Sequence, residues 1–170
     1  MQKMTSAYAN KMLKSLEEDK NYWLNKEATS NTYVVAINEE PVIPEYDYTE
    51  VANTIASLDA KIAVIKHALN LNNATAKVMV GDSEMSIDTI LIKMAQLNRR
   101  KAVLDYMRKQ LPKAREERTY SSRNAVPEYR YINYDLELIK SEYETISTTI
   151  MEMQMALDKY NQTVEFDVEL

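Results

Sequence analysis

Arginine and tyrosine are concentrated together in one stretch of this acidic chain. Residues 115–134, REERTYSSRNAVPEYRYINY, contain four arginines and four tyrosines. A guanidinium group presents a planar fork of donors that binds phosphate or carboxylate through two hydrogen bonds, and it stacks on aromatic rings. A tyrosine ring adds a large apolar face with a polar tip. This combination favours a binding site for a planar or phosphorylated anion.

The charge distribution supports the same interpretation. The formal net charge is −5, yet residues 99–130 hold ten basic and four acidic side chains, while the remainder holds 11 basic and 22 acidic ones. All seven arginines lie between residues 99 and 130. A small anion that touches only this segment avoids the negative remainder, whereas a long nucleic acid would be repelled by it. The expected ligand is therefore small and nucleotide-like or phosphorylated.

The predicted ligand-binding residues come from this basic segment. They are Arg115, Arg118, Tyr120, Arg123, Tyr129, Arg130 and Tyr131, with Arg99, Arg100, Arg108 and Ser122 as possible additions. An alternative interpretation stays open, because basic residues near a helix C-terminus complement its dipole and arginines pair with nearby acids. In that case the segment is a salt-bridge network, and the protein is a structural coiled-coil scaffold with salt bridges between subunits.

Residues for catalysis are sparse. The chain has no cysteine, one glycine and a single histidine, His67. One glycine cannot build a phosphate-binding loop, and a lone histidine without cysteine cannot assemble a common zinc site. No glutamate stands three residues before His67, so the Glu-x-x-His di-iron motif is absent. We therefore expect no enzymatic activity, no cofactor and no metal, and we expect His67 to be a partly exposed helix residue.

Hydrophobic periodicity predicts a mainly α-helical fold. Helices are expected at residues 4–29, 48–72, 86–111 and 134–161, as one domain spanning 1–170. The apolar pattern is clearest in two seams with alternating spacings of 3 and 4 residues. One comprises Leu136, Ile139, Tyr143, Ile146, Ile150, Met153, Leu157 and Tyr160; the other comprises Val51, Ile55, Leu58, Ile62, Ile65 and Leu69. Such seams favour four long helices in an antiparallel bundle or coiled-coil arrangement.

The helix ends and connections carry further signals. Asp47, three residues before Glu50, predicts a capped start for the second helix, and Asn133 is the expected N-cap of the fourth. The third helix is expected to bury a set that includes Leu91 and Leu111. Short β segments are predicted at 33–37, around the turn at Gly81, in EYRYINY of the basic connection 112–133, and in the alternating tail 163–170.

These features predict a non-catalytic, oligomeric helical protein that binds or sequesters a small anionic ligand. The long seams and the alternating tail, which could add to another subunit, favour a homo-oligomer. The first residues lack the apolar core of a secretory signal, and no stretch approaches the roughly 18 apolar residues of a membrane span. The expected location is cytoplasmic, in a bacterium or in the host cell if the source is viral.

Several stretches resemble the small bacterial helical proteins called septicolysin-like. The resemblance rests on EEPVIPE, LDAKIAVIKHALNLNNAT, RTYSSRNAVPEYRYI and DKYNQTVEFDVEL, and it covers most of the chain. It implies a series of helices with a basic segment before the last, at the position of Arg118, Tyr120, Ser122 and Arg123. The basic segment departs from the family pattern by a proline and extra residues. The family label also implies a membrane-active, pore-forming protein.

Overall fold

The computed structural model describes residues 1–116 and 126–170, and it confirms a mainly helical protein. In the described residues, the helices are α1 (Ser6–Ser30), α2 (Tyr48–Thr75), α3 (Ile87–Arg108) and α4 (Leu136–Thr163). The strands are β1 (Gln2–Thr5), β2 (Lys77–Val80), β3 (Ser83–Ser86), β4 (Lys113–Arg115), β5 (Tyr129–Tyr131) and β6 (Glu165–Val168). They form the pairs β1–β6, β2–β3 and β4–β5. Gly81 supplies the positive φ of 57° that the β2–β3 turn requires.

The chain divides into two compact units, residues 1–78 with 157–170, and residues 79–156. In the first unit, α1 and α2 pack as an antiparallel pair, since Lys20 pairs with Asp59 at 2.6 Å and Glu17 with Lys66 at 2.8 Å. Their core is a single apolar cluster, which removes these side chains from water. It comprises Met4, Ala9, Leu13, Ile62, Ile65, Leu69 and Val168.

The alternating tail forms β6, as its period of two predicts, but its partner lies in the same chain. β6 pairs antiparallel with β1, with Met4 opposite Phe166 and Gln2 opposite Val168. Val168 is fully buried and Phe166 packs against the core cluster. Residues 2–5, part of which the sequence places in the first helix, are therefore a strand. Thr5 then caps α1 by accepting a hydrogen bond from the Tyr8 amide at 3.2 Å.

The predicted seams of α2 and α4 are the less exposed faces of these helices, since every residue of both is buried or half-buried. Asp47 caps α2 by accepting from the Glu50 amide at 2.9 Å. The expected cap of α4 was wrong by two residues. Asp135, not Asn133, accepts from the Glu137 and Leu138 amides at 2.9 and 3.3 Å, which starts the helix at Leu136.

Helix α3 is shorter than its sequence pattern predicts. It ends at Arg108, where the amides of Lys109 and Gln110 bond to carbonyls only three residues back. Leu111 lies beyond this tightened turn and is exposed, and Leu91 is exposed as well. The buried face consists of Ile87, Ile90 and Leu104.

The connection between α1 and α2 forms no strand, although residues 33–37 favour one. Every side chain from 31 to 43 is exposed. The connection is held near its end by Tyr46, whose hydroxyl donates to Glu27 Oε1 at 3.4 Å. Burial and the neighbouring Glu27 carboxylate raise the pKa of Tyr46. Within residues 1–116 and 126–170, no helix is long and apolar enough to cross a membrane.

Candidate anion-binding face

The basic connection contains a two-stranded antiparallel ribbon, β4–β5. Lys113 stands opposite Tyr131, Ala114 opposite Arg130, and Arg115 opposite Tyr129. The Ile132 amide donates to the Pro112 carbonyl at 3.3 Å, and the Glu116 amide donates to the Glu128 carbonyl at 2.9 Å. These bonds fix the register beyond both ends of the short strands.

The register gathers two cations and two aromatic rings on one side. Residues directly opposite in an antiparallel pair point to the same face, and alternate residues share it. Lys113, Arg115, Tyr129 and Tyr131 therefore form one surface, which we name the ribbon face. All four side chains are exposed. The Lys113 ammonium lies 4.4 Å from the Tyr129 ring centre and 5.5 Å from that of Tyr131, within cation–π range.

Arg130 lies on the opposite side of the ribbon. Its guanidinium donates to both carboxylate oxygens of Glu116, at 2.9 and 2.6 Å. This paired geometry raises the pKa of Arg130. The structure thus brings Arg115, Tyr129 and Tyr131 together, as the sequence analysis expects, and places Arg130 apart from them.

Two of the three arginines of α3 contact side chains of α3 or α4. Arg108 donates to Asp105 Oδ1 at 2.9 and 2.7 Å and lies 4.0 Å over the Tyr143 ring. Hydrogen bonds from Lys109 and Arg108 lower the pKa of Asp105. The hydrogen bond with Asp105 raises the pKa of Arg108. Arg100 donates to Glu142 at 3.3 Å. Arg99 is exposed on the same helix.

The remaining predicted residues, Arg118, Tyr120, Ser122 and Arg123, lie outside the residues that the structure describes. One residue of the ribbon face was missed by the sequence analysis. Lys113 stands two positions before Arg115, and that spacing places two cations on one side of a strand. The spacing was visible in the sequence, but a three-residue strand next to a proline gives too short a pattern to predict.

The only histidine of the chain lies elsewhere. His67 is exposed on α2, as expected. Within the described part of the chain, no group of three or more histidine or acidic side chains could hold a metal ion.

Comparisons with known proteins support the fold alone. No protein-family model matches the sequence, and no curated protein matches it. A solved structure of a functionally unknown conserved protein from Corynebacterium diphtheriae is similar to this chain, with a TM-score of 0.66 and 14% identity. The similarity covers 98% of this chain and 100% of that one. The two proteins share an arrangement of elements along nearly their whole length.

Proposed function

We propose that this protein is a non-catalytic binding protein that takes up a small, planar anion on its ribbon face. One observation carries the proposal: Lys113 and Arg115 share an exposed face with Tyr129 and Tyr131. The opposite face, where Arg130 is already matched by Glu116, offers no comparable set. Nucleotides and related phosphorylated molecules combine a negative charge, which the cations of the ribbon face would bind, with a planar ring, which its tyrosines would stack on.

The chemistry of binding follows from the side chains. Arg115 would bind a phosphate through two hydrogen bonds, and Lys113 would add a point charge. A base would stack on Tyr129 or Tyr131, a contact worth about 1–3 kcal/mol per base where stacking has been measured. Stacking displaces Lys113 from the ring, at a cost of about 0.5–1 kcal/mol for an exposed cation–π contact. The displaced ammonium is then available to the phosphate.

Calorimetric titration with a panel of nucleotides and inorganic phosphate tests the proposal. Wild-type protein is expected to bind at least one nucleotide more tightly than phosphate, because only the nucleotide stacks. Arg115→Gln is expected to weaken that binding at least about tenfold, which corresponds to 1.4 kcal/mol. Tyr131→Ala is expected to weaken nucleotide binding and leave phosphate binding nearly unchanged.

Arg130→Gln is the matched control for Arg115→Gln. It removes the same charge from the same ribbon, but on the face turned away from the proposed ligand. We expect its nucleotide affinity to equal that of wild type. Equal losses in the two variants would show that net charge alone attracts the anion. Absence of binding by wild-type protein to every member of the panel would overturn the proposal.

A structural role for the arginines is the second candidate, and the ion pairs within the chain favour it. Arg130–Glu116, Arg108–Asp105 and Arg100–Glu142 are all satisfied within the described residues. In the scaffold alternative drawn from the sequence, such pairs would lie between subunits, whereas these three lie within one chain. Because the Arg130–Glu116 pair is largely exposed and screened by solvent, Arg130→Gln should change the free energy of unfolding little. A structural role alone leaves nucleotide binding absent in all variants.

Three further properties of the protein are proposed from the sequence. We infer that the helices pack as an antiparallel bundle, that the chain forms a homo-oligomer, and that it resides in the cytoplasm. Membership of the septicolysin-like family is likewise proposed from the sequence motifs. Its implied membrane activity is tested by dye leakage from liposomes, which the proposed binding function does not require.

A further inference from the structure

The connection between α1 and α2 is an apolar loop held at its base. We name residues 32–43 the arm. Glu27 anchors both of its ends, because its carbonyl accepts from the Asn31 amide at 3.1 Å and its carboxylate accepts from the Tyr46 hydroxyl at 3.4 Å. The chain between these anchors resembles a loop whose two ends are close together, a form that is frequently functional.

The arm exposes an unusual amount of apolar surface. Val34, Ile37 and Val42 have 101%, 103% and 92% of their surface exposed. Tyr33, Val35 and Ile43 are exposed as well. Single exposed apolar residues are normal, but a contiguous apolar set marks an interaction site. Within the described residues, the arm thus presents an exposed apolar surface that could bind a partner.

A groove in the same unit offers a complementary surface. It has a volume of about 710 Å³ and lies between α2 and β6. Its apolar lining includes Val64, Ala68, Leu71 and Phe166, and its polar lining includes Asp167. In the described residues the sheet consists of β1 and β6 alone, so each strand has an edge that faces no other strand. Such an edge can pair with an added extended segment.

We propose that the arm of one copy of this protein lies in the α2–β6 groove of a second copy. The exchange is reciprocal in a two-fold dimer, because both copies carry an arm and a groove. Residues 33–37, which favour β structure but form no strand in the described part of the chain, would lie along β6. Their side chains would bury against Leu71 and Phe166.

The charge of the groove is compatible with this occupant and disfavours an acidic one. The rim of the groove carries the carboxylates Asp167 and Glu169. The arm residues 32–38, TYVVAIN, carry no charge, so they enter without repulsion. The acidic half of the arm begins only at Glu39, past the run that would occupy the groove.

The available area matches what a stable dimer needs. A specific interface buries at least about 1,200 Å² in total, so each of two exchanged arms must account for about 600 Å². Tyr33 alone can bury about 150–250 Å². Each of Val34, Val35 and Ile37, the Val and Ile side chains of the run that would occupy the groove, can add roughly 60–120 Å² of apolar surface. At their upper ends, these areas together reach the roughly 600 Å² that each arm must account for.

Size-exclusion chromatography with light scattering tests self-association through the arm. We expect wild-type protein to be dimeric at micromolar concentration. The double variant Val34→Asp, Ile37→Asp should have a dimer dissociation constant at least about a hundredfold higher, because it charges two side chains that would be buried. Both side chains are fully exposed among the described residues, so the fold should be unchanged by circular dichroism. Val126→Asp is the matched control, an exposed valine outside the arm, and should remain dimeric.

Cross-linking identifies the surface that the arm contacts. The natural chain has no cysteine, so introduced ones report a single contact. Mixing Ile37→Cys protein with Leu71→Cys protein should give a disulfide between two different chains, whereas Val126→Cys mixed with Leu71→Cys should not. A wild-type monomer, a dimer unaffected by the arm variants, or equal cross-linking in the control would each overturn the proposal.

Arm exchange and nucleotide binding involve different residues, so either one can occur without the other. The calorimetric titration is therefore repeated on the double arm variant. Retained nucleotide binding in a monomeric variant supports both proposals separately. A dimer that binds no nucleotide overturns the ribbon-face proposal and leaves the arm proposal supported.

Discussion

At the scale of single residues, the arginines that the structure describes differ in their environments. Arg108 combines two hydrogen bonds to Asp105 with stacking over Tyr143, and lysine could not reproduce that planar contact. Arg115 instead stands exposed beside Tyr129. Arg108 thus makes a structural contact at the end of α3, and Arg115 is proposed to bind a ligand on the ribbon face.

The contacts of Asp105 predict a pH dependence of stability. Hydrogen bonds from Lys109 and Arg108 hold its pKa below the ordinary value of 3.8, so the native state binds its proton less readily than the unfolded state does. Its stabilising contribution is present above the unfolded pKa and is lost as the pH falls through the folded pKa. In urea titrations, wild type should exceed Asp105→Asn by a constant amount above about pH 5, and the difference should shrink below about pH 4. A pH-independent difference would contradict this explanation.

At the scale of elements, the start of α2 depends on one side chain. Asp47 satisfies the Glu50 amide, which has no partner within the first turn. Asp47→Ala should lower the free energy of unfolding by about 1 kcal/mol, within the range of 0.5–2 kcal/mol known for N-caps. Asp47→Asn, which keeps the accepting oxygen, should retain most of that stability. Equal urea midpoints for Asp47→Ala and wild type would show that solvent replaces the cap.

Local signals predicted the helices well, whereas long-range pairing could not be predicted. The α2 and α4 seams and the Asp47 cap depend on residues a few positions apart, so the sequence displays them directly. In the run NYD, two residues could cap α4, and only the backbone decides in favour of Asp135. The two strands of the ribbon have only three residues each, so the register of their pairing could not be predicted from the sequence. A shift of one residue would have placed Arg130 on the face with Lys113.

The candidate site was therefore predicted in part. Composition alone identified Arg115, Tyr129 and Tyr131, because their types signal anion binding and stacking wherever the backbone places them. It could not separate them from Arg130, whose side of the ribbon follows from the pairing of Ala114. Lys113 was overlooked for the same reason. The sequence shows the residue types, and strand register decides which of these side chains share a face.

At the scale of the whole molecule, the two ends of the chain meet in one compact unit. Residues 157–170 join residues 1–78 through the pairing of β1 with β6 and through the Tyr160 hydroxyl, which donates to Asn72 Oδ1 at 2.9 Å. These contacts span most of the sequence, so their formation carries a large loop-closure cost. The buried side chains of β6 offset that cost. The alternation of the tail places Phe166 and Val168 on the side of β6 that faces the core.

Removal of the tail tests how far the first unit depends on this closure. Deleting residues 164–170 removes Phe166 and the fully buried Val168 from the core cluster and leaves β1 without a partner. Because burial of one such side chain is worth about 1.5–3 kcal/mol, the free energy of unfolding should fall by at least about 2 kcal/mol. Hydrogen exchange should accelerate at the amides of α1 and α2. Deletion of residues 169–170 alone, which are exposed, should change neither measurement, and similar behaviour of the two truncations would show that β6 contributes little to the core.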